Sequence, residues 1–262
     1  DPWGRLARTA DFIGTITYGT TSAAERAGAK VRGVHRRLSA VDPETGERYR
    51  IDEPELLLWV HCAEIDSYLH IIRRSGYPLT DEQADAYVDE QRTAARLIGL
   101  DPADVPSDTA ELTAYLDTMM ATELAATEES AEVWDFLNRP PVPAVLTPAR
   151  ELLWRRITRL AYSSLPPDAH ARYGHRPLSA EATTRGLVSL GRTLRAIPSF
   201  LRWQVPPGHI RRAVSRLGPG THPSAWRLAK LARQGQAAAS RLLYAMSRDR
   251  RLPHALGNVS AR

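Results

Sequence analysis

The sequence predicts an all-α protein, because helical patterns fill most of the chain and β character is confined to two short stretches. Those stretches are residues 12–20 and 48–51. Apolar residues spaced three and four apart, with proline in a first turn and glycine after a last turn, indicate the helices. The chain has 262 residues and is 43% hydrophobic, so it can bury a sizeable core. It contains no run of about 18 uncharged apolar residues, so no transmembrane helix is expected.

The first helix is expected to begin at Asp1-Pro2, since proline suits the first helical turn. On this helix Arg5 and Thr9 are four residues apart and share a face, and Arg8 lies beside them. Arginine pairs bidentately with carboxylates, so this face could bind an anion. The alternative is a solvated face with an ion pair to Asp11 or Glu25.

The second helix follows a capping-box pattern, in which Glu25 lies three residues after Ser22. The helix is expected to place an apolar stripe toward the core, and His35 belongs to that stripe. The stripe consists of Val31, Val34, His35 and Leu38. A histidine buried among aliphatic residues needs a partner for its ring nitrogens. A metal is one such partner, and a carbonyl or hydroxyl group is the commoner one.

The third helix is expected to run from Pro54 to about Arg74, with Gly76 ending it. Its first half is apolar nearly all round, which predicts a central position in the fold. His61 lies in that half, so the same two alternatives apply to its ring. Further helices are expected over residues 80–98, 108–137, 147–163, 180–194 and 223–247, with a proline-rich break near residues 140–148.

Several classes of chemistry are excluded by what the sequence lacks. It has no P-loop, no GxGxxG after a strand, no GxSxG elbow and no HExxH motif. Cys62 is the single cysteine, so disulfide scaffolds and cysteine-rich zinc sites are excluded. Cys62 itself is expected to be a small core residue. The absence of a recognisable signal peptide predicts a cytoplasmic protein.

The charge is unevenly distributed along the chain. Residues 201–262 hold 12 basic side chains and one acid, for a net charge of +11, whereas residues 1–200 have a net charge of −6. The sequence therefore predicts a helical domain over 1–200 and a basic C-terminal helical extension over 201–262. A basic extension can attract nucleic acid or anionic lipid, although a solvated or partner-facing helix is the simpler interpretation. Aromatic residues are few there, which argues against nucleic-acid binding by stacking.

An ordered series of segments carries a family resemblance over about residues 1–180. The segments are 4–12 (GRLARTADF), 18–20 (YGT), 31–35 (VRGVH), 46–49 (GERY) and 52–61 (DEPELLLWVH), with later echoes at 165–166 and 173–174. In this order they resemble the family of haem oxygenases named for the MpaB enzyme and the latex clearing protein, a rubber oxygenase.

The resemblance implies a globin-like helical bundle around a haem pocket that holds haem b and its iron. It also implies an oxygen-dependent activity, typified by cleavage of an isoprenoid double bond. By position, His35 resembles the axial iron ligand, with His61 as the second choice. Arg5 and Thr9 resemble the family's arginine and threonine near the haem. Arg8 replaces a distal lysine of the rubber oxygenase, and its permanently protonated guanidinium is a poor iron ligand.

The sequence thus predicts a haem-dependent oxygenase or oxidase that acts on a small apolar or natural-product substrate with O2. Arg5, Arg8 and Thr9 are expected to line the haem pocket, with Arg5 and Thr9 also acting in catalysis. Either Asp66 or Ser67, both on the third helix, is expected to transfer protons. The alternative is a non-catalytic haem-binding or hydrophobic-ligand-binding protein that associates peripherally with membranes through its basic C-terminal region.

Overall fold

The computed structural model describes residues 2–42, 45–140, 145, 147–198, 201 and 208–217. These residues are helical apart from turns and one two-stranded hairpin, so the prediction of an all-α fold is confirmed. The chain divides into two compact units. One unit contains the described residues up to Val31 and those from Thr193 onward, and Arg32–Arg192 form the other. The expected helix at 223–247, like most of the basic extension, lies outside the described residues.

The helices are numbered here in chain order. They are α1 (Pro2–Tyr18), α2 (Thr21–His35), α3 (Pro54–Arg74), α4 (Asp81–Ile98), α5 (Thr109–Thr122), α6 (Glu128–Asn138), α7 (Thr147–Ala149), α8 (Arg155–Ser163), α9 (Pro167–Tyr173), α10 (Ala180–Ala196) and α11 (His209–Leu217). A 3₁₀ turn spans Pro102–Asp104, and a π-helical turn spans Arg150–Trp154. The strands are β1 (Ser39–Val41) and β2 (Arg48–Arg50).

Of the two stretches expected to have β character, residues 48–51 contain a strand and residues 12–20 do not. β2 covers residues 48–50 and pairs antiparallel with β1, with Ala40 opposite Tyr49. Residues 12–20, in contrast, are helical as far as Tyr18, because α1 continues through them. The Thr17 hydroxyl donates a hydrogen bond to the Ile13 carbonyl at 2.8 Å, as threonine commonly does inside a helix. Local β propensity is a weak preference that helix propagation and packing override.

The ends of α2 differ from the sequence expectation. Its first turn is capped by Thr20, whose hydroxyl oxygen accepts a hydrogen bond from the Ala23 amide at 3.2 Å, so the capping box expected at Ser22 is wrong. α2 ends at His35, which places Leu38 beyond the helix. The expected apolar stripe therefore stops at His35, and Val34 within it is exposed.

The single helix expected over 108–137 is two helices in the structure. α5 ends at Thr122, and Thr127 begins α6 with its own capping box, in which Ser130 is the reciprocal partner. Arg172 donates hydrogen bonds to the carbonyl groups of Met120 and Leu124, beside the end of α5. Because capping groups satisfy the free backbone groups at both ends, the break between the helices is stable.

α3 is the centre of the unit formed by Arg32–Arg192, as its apolar first half predicts. One core cluster joins α3 to α4 and α5 and contains Cys62, Ile65, Leu69, Ala84, Val88 and Leu112. A second cluster joins Leu57 of α3 to Ala95 of α4 and to the following turn. α3 begins at Pro54 and Gly76 follows its end with a φ of 75°, both as expected. The position of α3 places His61 inside this core.

In the other unit, α1 packs against α11 through a buried histidine. His209 is only 6% exposed, and its ring lies against the backbone of Gly14. Its Nε2 is 3.0 Å from an Asp11 carboxylate oxygen, and its Nδ1 is 3.0 Å from the Arg212 guanidinium. Guanidinium can only donate, so Nδ1 accepts and Nε2 carries the proton that is donated to Asp11.

Candidate functional site

His35, the last residue of α2, is half-buried and has an unsatisfied ring nitrogen. Its Nδ1 is buried and has no hydrogen-bond partner in the described part of the chain. Burial lowers the pKa of the imidazole below its ordinary value, and the Asp52 carboxylate opposes this by raising it. The lowered pKa keeps the ring neutral near pH 7, which is the form that binds a metal ion.

His61 is the more deeply buried of the two histidines singled out in the sequence. It is 7% exposed, and its Nε2 is buried with no hydrogen-bond partner among the described residues. Burial lowers the pKa of this imidazole, while a hydrogen bond with the backbone of Gln91 on α4 raises it. An imidazole that burial keeps neutral, with a ring nitrogen unpaired among the described residues, is in the form that binds a metal ion.

The two unsatisfied nitrogens fit a haem iron ligand better than a site with several protein ligands. A buried polar atom without a partner costs about 1–3 kcal/mol, so a ligand that accepts its lone pair would recover that free energy. Across the described residues, no three His, Cys, Asp or Glu side chains come together around a metal position. Haem iron needs only an axial protein ligand, so one histidine suffices. No hydrogen bond or ring contact links His35 with His61 in the described ranges.

Asp66 and Ser67 follow His61 on α3 but lie in different environments. Asp66 is half-buried, and burial raises the pKa of its carboxyl group, an effect that nearby His70 counteracts. Ser67 is exposed, and its hydroxyl donates to the carbonyl of Ala63 at 2.7 Å. A raised pKa makes a carboxyl group better suited to holding and releasing a proton, whereas the serine hydroxyl is engaged with its own helix.

Two charged or titratable side chains, His70 and Arg74, follow Asp66 on α3 at intervals of one helical turn. His70 Nε2 is 3.4 Å from the Arg74 guanidinium. Arg74 in turn donates hydrogen bonds to Thr184 and to the Ala180 carbonyl, both at 3.1 Å, which ties the end of α3 to α10. His70 lies outside the residues that the sequence pattern indicated. Its four-residue spacing from Asp66 is the signal that could have identified it.

Arg5, Arg8 and Thr9 lie on α1, in the other unit, with exposed side chains. Arg5 and Thr9 share a helical face, as their spacing predicts. The described residues provide no hydrogen bond or ion pair to these three side chains. Asp11, one of the two acids expected as alternative partners, binds His209 instead. Both guanidinium groups are exposed, so an anion in solution can reach them.

Cys62 and two further histidines, His170 and His175, each have a defined local environment. Cys62 is fully buried in the core cluster, where burial raises the pKa of its thiol to about 12, so it is a core residue as expected. His175 stacks on Trp134 with ring centroids 3.9 Å apart. His170 donates a hydrogen bond from Nε2 to the Tyr162 carbonyl at 2.9 Å. His175 therefore has a local packing role, and His170 ties α9 to α8 through its hydrogen bond.

A comparison with protein-family models matches residues 1–198 to the family described as "ER-bound oxygenase mpaB/B'/Rubber oxygenase, catalytic domain". The matched range includes α1, α2 and α3, with the histidines and arginines described above. Comparisons with curated proteins and with solved structures give no match. No helix within the described ranges is long and apolar enough to cross a membrane. Because the match covers most of its residues, the chain belongs to the MpaB/rubber oxygenase family and carries an oxygenase catalytic domain.

Proposed function

We propose that the protein is a haem b-dependent oxygenase that oxidises a small apolar or natural-product substrate with O2. Family membership supports the oxygenase class. The observation that carries the haem assignment is that His35 and His61 each bury a ring nitrogen without a hydrogen-bond partner among the described residues. Nucleic acid is not a partner in this proposal, because the basic residues 201–262 include few aromatic side chains on which bases could stack.

His35 is the proposed axial ligand of the iron, and His61 is the second candidate. Both imidazoles have a lowered pKa, so both stay neutral and available at pH values where an exposed histidine would begin to protonate. His35 offers Nδ1 and His61 offers Nε2, and either nitrogen serves as a metal ligand in proteins. When bound, haem supplies the redox chemistry of its iron toward O2.

The other proposed roles follow from charge and hydrogen-bonding capacity. Arg5 and Arg8 are proposed to pair with the haem propionates, because guanidinium binds carboxylate bidentately. Thr9 donates or accepts a hydrogen bond beside them. Asp66 is proposed to hold and deliver a proton, since burial raises the pKa of its carboxyl group. Ser67 is the weaker choice for that role, because its hydroxyl is bonded to the Ala63 carbonyl.

Haem titration of three matched histidine variants tests the ligand assignment. His35→Ala and His61→Ala are compared with His70→Ala, which replaces an exposed histidine of the same helix as His61. We expect His35→Ala to lose the wild-type Soret spectrum and to weaken haem retention at least tenfold, while His70→Ala retains both. An unchanged spectrum in His35→Ala with a changed one in His61→Ala would transfer the ligand role to His61. Unchanged spectra in both would overturn the haem site proposed here.

Catalysis is tested separately from haem binding. Oxygen consumption is measured with the haem-loaded protein and a set of apolar isoprenoid and natural-product substrates. Consumption that depends on substrate supports an oxygenase of this type. A haem-loaded protein that consumes no oxygen with any of them would favour the non-catalytic ligand-binding alternative.

A further inference from the structure

The most exposed large hydrophobic side chains lie together in one short segment of the unit formed by Arg32–Arg192. Of all such side chains in the described residues, Val145, Leu152 and Leu153 are the most exposed, at 80%, 67% and 63%. Ile157, one turn further along α8, is 40% exposed. Singly exposed hydrophobic residues are ordinary, whereas a contiguous group indicates an interaction surface.

The local backbone explains why these leucines point outward. Leu152 and Leu153 occupy the π-helical turn at Arg150–Trp154 that leads into α8. The following residue, Trp154, is half-buried, and its Nε1 donates a hydrogen bond to the Leu137 carbonyl of α6 at 2.7 Å. α6 and α8 are also joined by the edge contact between Trp134 and Tyr162, with ring centroids 4.7 Å apart. The turn is therefore fixed to the protein by Trp154, and the two leucines stay exposed.

The net charge of the sequence changes from negative to positive just before this segment, at about residue 139. Residues 81–135 contain 15 acidic and two basic side chains, whereas residues 139–159 contain five arginines and one acid, Glu151. Arg155, Arg156 and Arg159 are exposed on α8, among the exposed leucines. Arg155 pairs with Glu151 at 3.0 Å, and this exposed pair is weak. The segment is thus a basic and apolar surface on an otherwise acidic unit.

We propose that this α8 surface, defined as Leu152, Leu153, Arg155, Arg156, Ile157 and Arg159, docks onto an anionic lipid bilayer. A helical segment that interleaves leucine with arginine can bury its apolar side chains at the boundary between headgroups and acyl chains. The arginines then pair with lipid phosphates, which they bind bidentately. A second copy of the chain is disfavoured as the occupant, because a symmetric contact would bring the same arginines together.

Vesicle cosedimentation of the full chain tests this proposal and is independent of the haem assignment. The vesicles contain phosphatidylcholine alone or phosphatidylcholine mixed with phosphatidylglycerol. We expect binding to the anionic vesicles only. The double variant Leu152→Ser with Leu153→Ser should bind at least about tenfold more weakly, because burial of one leucine is worth on the order of a tenfold change. Arg155→Gln with Arg156→Gln should lose about fivefold per arginine.

Two control double variants test whether vesicle binding depends on the α8 surface and not on hydrophobic or basic residues elsewhere. Leu6→Ser with Val41→Ser removes two exposed hydrophobic residues elsewhere and should leave binding unchanged. Arg250→Gln with Arg251→Gln removes two charges from the basic C-terminal sequence. Binding that depends on this arginine pair but not on Leu152 and Leu153 would overturn the proposal. Equal binding to neutral vesicles, or no binding to either kind of vesicle, would also overturn it, and a change of oligomeric state in the leucine variant would then indicate a second copy of the chain as the occupant. Circular dichroism confirms that each variant is folded.

Discussion

At the scale of single residues, the histidines of this chain divide by whether their ring nitrogens are satisfied. His209 has a partner for each nitrogen, in Asp11 and Arg212. His35 and His61 each leave one buried nitrogen unpaired within the described residues. Buried polar atoms are normally hydrogen-bonded, so an exception indicates a ligand, a trapped water or a cost accepted for function. The difference predicts opposite effects of the same substitution at His61 and His209.

Replacing His61 with leucine should stabilise the haem-free protein. Leucine has a similar volume and no polar atom, so His61→Leu removes the unsatisfied nitrogen and should raise the free energy of unfolding by about 1 kcal/mol. His209→Leu is the control, and it should lower that free energy by about 1 kcal/mol, because it removes the hydrogen bonds to Asp11 and Arg212, both of which are exposed and regain water. Urea unfolding measures both values. A loss of stability in His61→Leu would show that Nε2 is satisfied in solution.

The pH dependence of stability follows from the same burial. Burial lowers the pKa of His35 and of His61 in the folded chain, so the unfolded chain binds protons more readily. The free energy of unfolding should therefore fall as the pH drops below the ordinary histidine pKa of about 6.5, toward the lowered folded values. Urea unfolding at pH 7.5, 6.5 and 5.5 measures this decline.

His61→Leu is the matched comparison for the decline with pH, and it should show a shallower slope than the wild type. The comparison is needed because burial raises the pKa of Asp66, which acts with the opposite sign at lower pH. Identical slopes in the two proteins would mean that the pKa of His61 is not lowered in solution.

At the scale of elements, the sequence predicts helices well where proline, glycine or a capping residue marks an end. α3 lies between Pro54 and Gly76 as expected, and Thr80 begins α4 with a complete capping box. Errors occur where such signals compete or are weak. Thr20, not Ser22, caps α2, and the Thr127 capping box inside 108–137 was hidden by continuous helical periodicity. β1 is only three residues long, too short for an alternating pattern to show.

The end of α4 offers a test of backbone geometry at this scale. Gly99 has a φ of 108°, and a Cβ there would lie 3.3 Å from Cδ of Arg32, whose guanidinium donates to the Leu97 carbonyl. Gly99→Ala should therefore lower the free energy of unfolding by about 1–3 kcal/mol. Gly33→Ala is the control, because a Cβ there meets nothing within 4 Å inside α2. Helix propensity should make it stabilising by up to about 1 kcal/mol. Equal effects in thermal unfolding would contradict this geometry.

At the scale of the whole molecule, the sequence predicted the site and the fold by different means. Hydrophobic periodicity predicted an all-α protein with α3 at its centre. The roles of His35 and His61 came from an ordered resemblance, since a buried histidine on its own is more often a core residue. The structure adds the finding that each histidine has an unsatisfied ring nitrogen. Residue spacing could not reveal this, because the groups that surround a buried ring, such as the Gln91 backbone near His61, are distant in sequence. The α8 surface was also missed, since exposure depends on tertiary packing.

The core around α3 should control the stability of the unit that holds both histidines. Leu112 is 2% exposed in the cluster that joins α5 to α3 and α4, so Leu112→Ala should cost about 2–5 kcal/mol of the free energy of unfolding. Leu137→Ala makes the same change at a side chain that is 43% exposed, and it should cost less than about 1 kcal/mol. Hydrogen exchange adds a local measure, since the amides of α3 near His61 should lose protection only in the Leu112 variant. Equal losses in both variants would mean that these helices do not share one core.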